Sequence, residues 1–488
     1  MEHAAVPDMP QIPLVTRSAA LQRRVLAATS ISYIVVILDT SIVNVALGSI
    51  ADALSTDTAG LQWVLNAYTL TFASLLLSGG ALGDRLGARN VYFAGLALFT
   101  LASALCGAAP NLAALTAARV VQGVGASMLV PCSLMLINQA YTDAAERGRA
   151  IGLWAGFGGA AMAAGPLIGG LLIHAFGWRS IFLANVPVGV MGFWLTSRIA
   201  HRDRRDGRGD RGCDENTLHR RPLDLAGQVS AIVALGMLIA ALIEGASFGW
   251  RSPWIIGAIA VSVAAGVTFI AIESKRAQPM LPLSMFRNPI FSSAAFVSMV
   301  SALTFYGLIF TLSLYFQQVS HYSPLRTGLA FLPLTALVTA GSMSAASIVR
   351  RFGSRWPICI ALGVYTLGFA ALFAATKSPS FWLIALPMPA LGFFAGLITP
   401  LATTALMNTV DKHRAGIAAG VLNSARQTGA ALGVALFGAM IAAVHPFANG
   451  MRMALLMAVC VSLIAALAWW LATGGRQIAS ALLSRNDA

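Results

Sequence analysis

Charge is what this sequence has least of. Only 10% of its residues are Asp, Glu, Lys or Arg, whereas a soluble domain carries about 25%. With 57% of residues hydrophobic and a mean hydropathy of +0.76, too little polar surface remains to clothe a globule in water. The solvent must be mostly lipid. Lysine is scarcer still: of 32 basic residues, only Lys275, Lys377 and Lys412 are Lys. None stands in a G-x-x-x-x-G-K-[ST] context, so there is no Walker A loop and no ATP-driven pumping by this chain alone. The five cysteines (Cys106, Cys132, Cys213, Cys359, Cys460) are scattered without metal-ligand spacing and read as small apolar helix residues. His3 is in the N-terminal tail, and His174, His201, His219, His321, His413 and His445 fall in loops or near span ends with no metal cluster. No enzyme active site, cofactor site or metal site suggests itself.

What the sequence has in abundance is apolar runs. A membrane-spanning helix needs about 20 predominantly apolar residues, and fourteen runs qualify: 25–50, 61–82, 90–109, 112–138, 149–173, 179–199, 224–244, 252–272, 290–317, 327–349, 356–376, 381–407, 415–443 and 452–473. The first is too long, and too poor in cleavage signals, for a secretion signal. With the N-terminus inside, 25 of the 32 basic residues fall on inner segments and five on outer loops, and Arg119 and Arg426 lie inside spans. This bias places both termini in the cytoplasm and the chain in the cell inner membrane. It also turns the net charge of +14 into a topology signal rather than a nucleic-acid footprint.

The expected organisation is an all-α polytopic bundle on a 6 + 2 + 6 plan. A tail (1–24) precedes a six-helix bundle (25–199), and an Arg-rich cytoplasmic linker follows (200–223). Two additional spans (224–272), a second six-helix bundle (273–473) and a tail (474–488) complete the chain. The two bundles share a signature: Asp84-Arg85-Leu86-Gly87-Ala88-Arg89 and Arg350-Arg351-Phe352-Gly353-Ser354-Arg355 join the second and third helices of their bundles, 266 residues apart. Parallel six-helix halves of this kind hold substrate between them near the membrane midplane.

Charge inside a span costs roughly 2.5–3.5 kcal/mol, so such residues face a cavity or a partner. Asp39, Arg119 and Arg426 are the ones well inside. At 1.5 Å per residue, Asp39 lies about 16 Å and Arg119 about 12 Å from the same membrane face. At one depth they can share a polar network, with Asp39 as the protonation site. Burial favours a neutral carboxyl and a nearby guanidinium favours the charged one, so a movement that alters either would load or unload a proton. A static ion pair is the competing reading. Arg426, about 18 Å from the inner face, suits an anionic or electron-rich substrate, inter-half coupling or plain structure. In span five, Gly165, Pro166, Gly169 and Gly170 allow close helix approach and a bend.

At this point the motifs resemble the major facilitator superfamily, and within it the fourteen-helix drug:proton antiporters, over about residues 25–470. Leu38-Asp39-Thr40-Ser41-Ile42-Val43-Asn44-Val45-Ala46 is similar to that family's first-helix motif. Gly80 through Arg89 resembles its loop signature, which implies a conformational-switch role for Gly80, Asp84, Arg85, Gly87 and Arg89. Arg119-Val120-Val121-Gln122-Gly123-Val124-Gly125 resembles the fourth-helix motif whose Arg takes part in proton transfer. The Gly165-Pro166 and Gly169-Gly170 element is similar to the antiporter motif, typical of exporters. Trp178-Arg179-Ser180-Ile181-Phe182 with Asn185-Val186-Pro187, Tyr315-Phe316-Gln317-Gln318 with Tyr322-Ser323-Pro324-Leu325, and Arg426-Gln427-Thr428-Gly429 also fit. Ala161 departs from the Gly often found in the fifth helix.

The resemblance implies proton-coupled export of a drug, antibiotic or toxic metabolite by alternating access. A proton-coupled importer and a receptor-like sensor without flux remain the alternatives. Asn44, Gln122, Arg426, Gln427, Trp63, Tyr68, Phe305 and Tyr306 are the candidate substrate-cavity residues, though packing or lipid-facing roles compete for the aromatic ones. With Asp39 as the one clear mid-membrane acid, a neutral, amphipathic or weakly anionic substrate suits the chain as well as a dication. The implied partners are that small molecule, protons and membrane lipid. The chain is expected to work as a monomer, and docking to a periplasmic adaptor is left open.

Overall fold

The computed structural model describes residues 19–205, 224–276, 279, 281–377, 380–411 and 414–486. The 1–18 part of the tail and most of the Arg-rich linker (206–223) lie outside them. In hydrocarbon every backbone N–H and C=O must be satisfied within its own segment, so the apolar runs have no choice but helix. Among the described residues, fourteen helical segments are long and apolar enough to cross a membrane. The chain is a multi-pass membrane protein.

The first half comprises α1 (Ala19–Leu54), α2 (Thr58–Leu86), α3 (Ala88–Ala108), α4 (Leu112–Ala140), α5 (Ala144–Phe176), and a sixth span built from the short α6 (Ser180–Leu183) and α7 (Asn185–Arg205). Two additional spans follow, α8 (Leu225–Phe248) and α9 (Pro253–Lys275). The second half begins with α10 (Pro289–Leu314), which ends in a π-helical turn at Tyr315–Val319. It continues through α11 (Pro324–Ala330), α12 (Leu332–Phe352), α13 (Arg355–Ala375), α14 (Phe381–Ala385), α15 (Met388–Met407), α16 (Ala415–Ala443) and α17 (Phe447–Asn486). Caps punctuate the boundaries: Asp57, Asn111, Asp143, Asp224 and Asn288 each accept a backbone N–H from the first turn of the helix they precede. Several helices outrun the apolar stretches. α1 takes in Arg23 and Arg24, and α8 continues past residue 244 to Phe248, which brings Glu244 inside a span.

The repeated loop has a structural counterpart in each half. Gly87 (φ +86°) ends α2 and Gly353 (φ +68°) ends α12, both in the left-handed region that a side chain resists. We call the membrane face carrying these two turns the loop face.

The halves meet along two seams. On one, α2 packs against α16, with α8 laid over both. On the other, α5 packs against α11 and α12. At the end opposite the loop face, hydrogen bonds join the halves along the first seam and between α1 and the end of α10. Gln62 of α2 donates to the carbonyls of Val434 and Ala435, each at 2.9 Å, and Gln317 accepts from the Gly48 N–H at 2.9 Å. Ser313 donates to the Asn44 carbonyl. Toward the loop face α5 packs through the Ala150–Trp154–Gly158 stripe, while its neighbours Gly152, Leu153, Gly156 and Phe157 are exposed.

Candidate functional site

The polar centre of the first half is built on Asp39, midway along α1 and 2% exposed. Three side chains from two other helices converge on its carboxylate. Arg119 of α4 pairs with Oδ2. Gln122 of α4 and Asn185 at the start of α7 each donate to Oδ1 at 2.9 Å. Helical spacing explains the double grip from α4, because residues three apart share a face. Arg119 also donates to Gln122 Oε1 at 2.7 Å and to the Val64 carbonyl of α2 at 3.1 Å. Ser103 of α3 accepts from Gln122 at 2.9 Å and from Asn185 at 3.4 Å.

The guanidinium is closed in by aromatic faces, with its Cζ 4.3 Å from the Tyr68 ring centre and 5.7 Å from that of Phe182. Rings in these positions stabilise a cation that is out of reach of water. Every side-chain partner of the Asp39 carboxylate is a donor.

The sequence brought Asp39, Arg119 and Gln122 into view but not Ser103, and Asn185 only as part of a motif. A short polar residue in an apolar run carries no spacing signal, and these two are recognised only once three helices stand side by side.

The other candidates scatter into distinct environments. Gly165, Gly169 and Gly170 lie where α5 meets its neighbours: a Cβ on Gly165 would sit 1.7 Å from Ser41 Oγ, one on Gly169 3.3 Å from Ile42, and one on Gly170 2.8 Å from the Pro324 carbonyl. Pro166 belongs to the same seam, its carbonyl lying 2.3 Å from where a Gly328 Cβ would be. Small residues here let α5 touch both α1 and the second half. Gly80 packs toward Pro131, while Asp84 and Arg85 are exposed at the loop face, and Arg89 lies over the Phe93 ring.

Among the cavity candidates, Tyr68 packs on the Arg119 guanidinium, and Phe305 is buried, edge-on to its neighbour Tyr306. Asn44 is buried and bonds back to the Thr40 carbonyl. Trp63 turns to the additional spans, donating to Glu244 at 2.8 Å. Arg426 and Gln427 are half-buried on α16. Among the described residues no acid pairs with Arg426. Tyr33 stacks on Trp154 with ring centres 3.7 Å apart.

Known proteins share this architecture. The family model of the Major Facilitator Superfamily matches twice, over residues 29–225 and 225–434. The Methylenomycin A resistance protein of Bacillus subtilis (strain 168) is 37% identical over 449 residues, covering 92% of this chain and 93% of that protein. The Puromycin resistance protein pur8 of Streptomyces alboniger is 36% identical over 444 residues, covering 89% and 85%. The Multidrug resistance protein Stp of Mycobacterium tuberculosis (strain CDC 1551 / Oshkosh) is 36% identical over 419 residues, covering 86% and 75%.

In fold, the chain is similar to a bacterial homologue of the human lysosomal transporter Spinster in an inward-facing, unoccupied conformation, with a TM-score of 0.63, 19% identity, and 93% and 97% of the two chains covered. The chain belongs to the major facilitator superfamily, among its drug-efflux members. It is a transporter and not an enzyme.

Proposed function

We propose that the chain is a proton-coupled exporter that moves a drug, antibiotic or toxic metabolite outward as a proton moves inward. The observation that carries this reading is the sealed carboxylate of Asp39, held by donors from α4 and α7. A charge at mid-membrane depth marks function by default, and here its protonation state is tied to the packing of three helices. A proton arriving at Asp39 weakens the hold of Arg119, Gln122 and Asn185 on α1, and its departure restores that hold. The seams along α5–α11 and α2–α16 then close and open in alternation, with the Gly80–Arg89 turn and the Gly165–Gly170 element at the moving contacts.

The orientation that fits the basic-residue bias puts the loop face and both termini in the cytoplasm and the chain in the cell inner membrane. In that orientation substrate enters from the loop face. The names of the relatives, methylenomycin A and puromycin resistance among them, make small antibiotics the substrate class to try first. Arg426 is a cation without a carboxylate partner among the described residues, so a neutral or weakly anionic amphipathic molecule suits the space between the halves better than a dication. A single chain contains every part this cycle uses.

Acidified inside-out vesicles carrying the protein test the reading. Adding cationic, neutral and anionic toxic compounds should release protons from the lumen for at least one class. Binding without release from any compound would favour a sensor, and co-movement of solute and proton would favour an importer.

A further inference from the structure

Two amides stand one turn apart on α2, and the seam between the halves treats them in opposite ways. Gln62 and Asn66 are both fully buried. The Gln62 Nε2 donates to the Val434 and Ala435 carbonyls of α16, each at 2.9 Å. Asn66 has no hydrogen-bond partner at either Nδ2 or Oδ1.

Asn66 faces the same seam. Positions 62, 66, 73 and 77 recur at the spacing that keeps one face of a helix together. Both ends of that face touch α16: Gln62 as above, and Leu77, whose side chain occupies the space that a side chain on Gly420 would need. The two helices therefore run in opposite directions, and helical rise sets Asn66 level with Ala430 and Ala431. Both alanines are buried, and neither side chain has a group for an amide to bond.

Local geometry does not force this state on an asparagine. Asn44 of α1 donates back to the Thr40 carbonyl, four residues earlier, at 3.0 Å. Thr69, on the next turn of α2, donates back to the Leu65 carbonyl at 3.0 Å. Asn66 takes no such partner, although an amide has two N–H donors and an acceptor to satisfy. A buried polar group left unbonded loses its hydration without return, so one fixed arrangement would favour an apolar side chain of similar shape. The amide makes physical sense when a second arrangement of the helices lets it form its bonds, and parting of the α2–α16 seam is that arrangement.

We propose that Gln62 and Asn66 are opposed positioning residues of the transport cycle. Gln62 holds the α2–α16 seam shut at the end opposite the loop face. Asn66 raises the free energy of the shut seam, so that it parts readily, and its amide then meets water or the polar groups of a passing substrate. The proposal rests on the export reading above for the parting of the seam; the opposed parts of the two amides rest on their own geometry.

The test uses the full chain in lipid nanodiscs, freed of native cysteines, with spin labels carried by Ala53→Cys on the first half and Ala443→Cys at the end of α16, both exposed positions. Asn66→Leu removes the unmade bonds. It should shift the distance distribution toward its short population about tenfold, raise the thermal unfolding midpoint and slow transport. Gln62→Leu removes the two bonds across the seam and should shift the distribution toward its long population and lower the midpoint. In the double variant the two shifts should largely cancel. A lowered midpoint in Asn66→Leu would mean that the amide is bonded in the shut seam, by a trapped water for example, and overturns the proposal. Distances that move the same way in both variants, or in neither, overturn it too. If Asn66→Leu fails to fold, Asn66→Ala, which cannot overpack the seam, is read by the same distances. Substrate-triggered proton release in wild type with unmoved distances in the variants removes the amides from the cycle and leaves export standing. Opposed shifts without release in wild type sink the export reading and leave the two amides in their roles.

Discussion

The two six-helix halves share a plan, down to a left-handed glycine at the turn after the second helix of each, yet their interiors differ in chemistry. The first half encloses an acid, a guanidinium, two amides and a hydroxyl in one connected network. In the second half, α10 and the paired α14 and α15, which correspond to α1 and α4, contain no Asp, Glu, Lys or Arg. Their polar contacts are small and neutral, such as Thr304 to the Tyr365 hydroxyl at 3.2 Å, and α10 is among the most buried helices of the bundle. Arg426 of α16 is the charge that lies deep in this half, and it is half-buried.

One scaffold used twice therefore carries two chemistries: a half with a buried charged network and a half whose corresponding helices are apolar. The connected network matters physically because a buried charge that loses its partner costs far more than a neutral contact.

The largest expected effect comes from breaking that network on one side only. Arg119→Ala leaves Asp39 buried without its counter-charge, and removal of one member of such a pair typically destabilises by about 3–5 kcal/mol. Thermal unfolding in detergent should show a clear loss of stability, together with lost transport. Adding Asp39→Asn to an Arg119→Gln background removes both charges, and most of the stability should return while proton-coupled transport does not. Failure of the double variant to recover would mean that the network is valued for shape rather than charge.

A smaller effect is expected at the seam. Gly170→Val drives a side chain into the Pro324 carbonyl and Leu325 backbone of the other half, an overpacking that costs about 1–3 kcal/mol. It should spread the halves at the end opposite the loop face, measurable as a longer spin-label distance between α5 and α11, with transport down about tenfold.

Arg426→Gln tests the cation of the second half. With no acid paired to it among the described residues, folding should be nearly unchanged, while transport of anionic and neutral compounds falls about tenfold relative to cationic ones in a vesicle panel. An unchanged profile would remove Arg426 from the substrate site.

The smallest effect belongs to the additional spans. Glu244→Gln preserves an acceptor for Trp63, so the change should cost no more than about 1.5 kcal/mol, the worth of one hydrogen bond. Transport should stay within about twofold, read in the same vesicles.

Much of this division is legible in the residues alone. Helix number follows from hydropathy because lipid leaves the backbone no alternative, and Asp39 and Arg119 stand out because charge in a span is rare. Their depths from one face, derived from helical rise alone, agree with the contact between them. Glu244 escapes because hydropathy ends its span at residue 244, whereas α8 keeps its helical bonds for another turn to Phe248. Trp63 reads in the sequence as a cavity candidate with packing as the competing role, and its indole N–H donates to that carboxylate. Ser103, Gln62 and Gln228 escape for a different reason: an uncharged polar residue in an apolar run costs little enough to occur anywhere, and only its partner on another helix reveals its purpose.

The central claim is that Asp39 is where the proton rides. Proton release from acidified inside-out vesicles, triggered by a transported compound and compared between wild type and Asp39→Asn, tests it most directly. The account predicts release in wild type and none above background in Asp39→Asn, with compound binding retained. Undiminished release from the Asp39→Asn protein would contradict it.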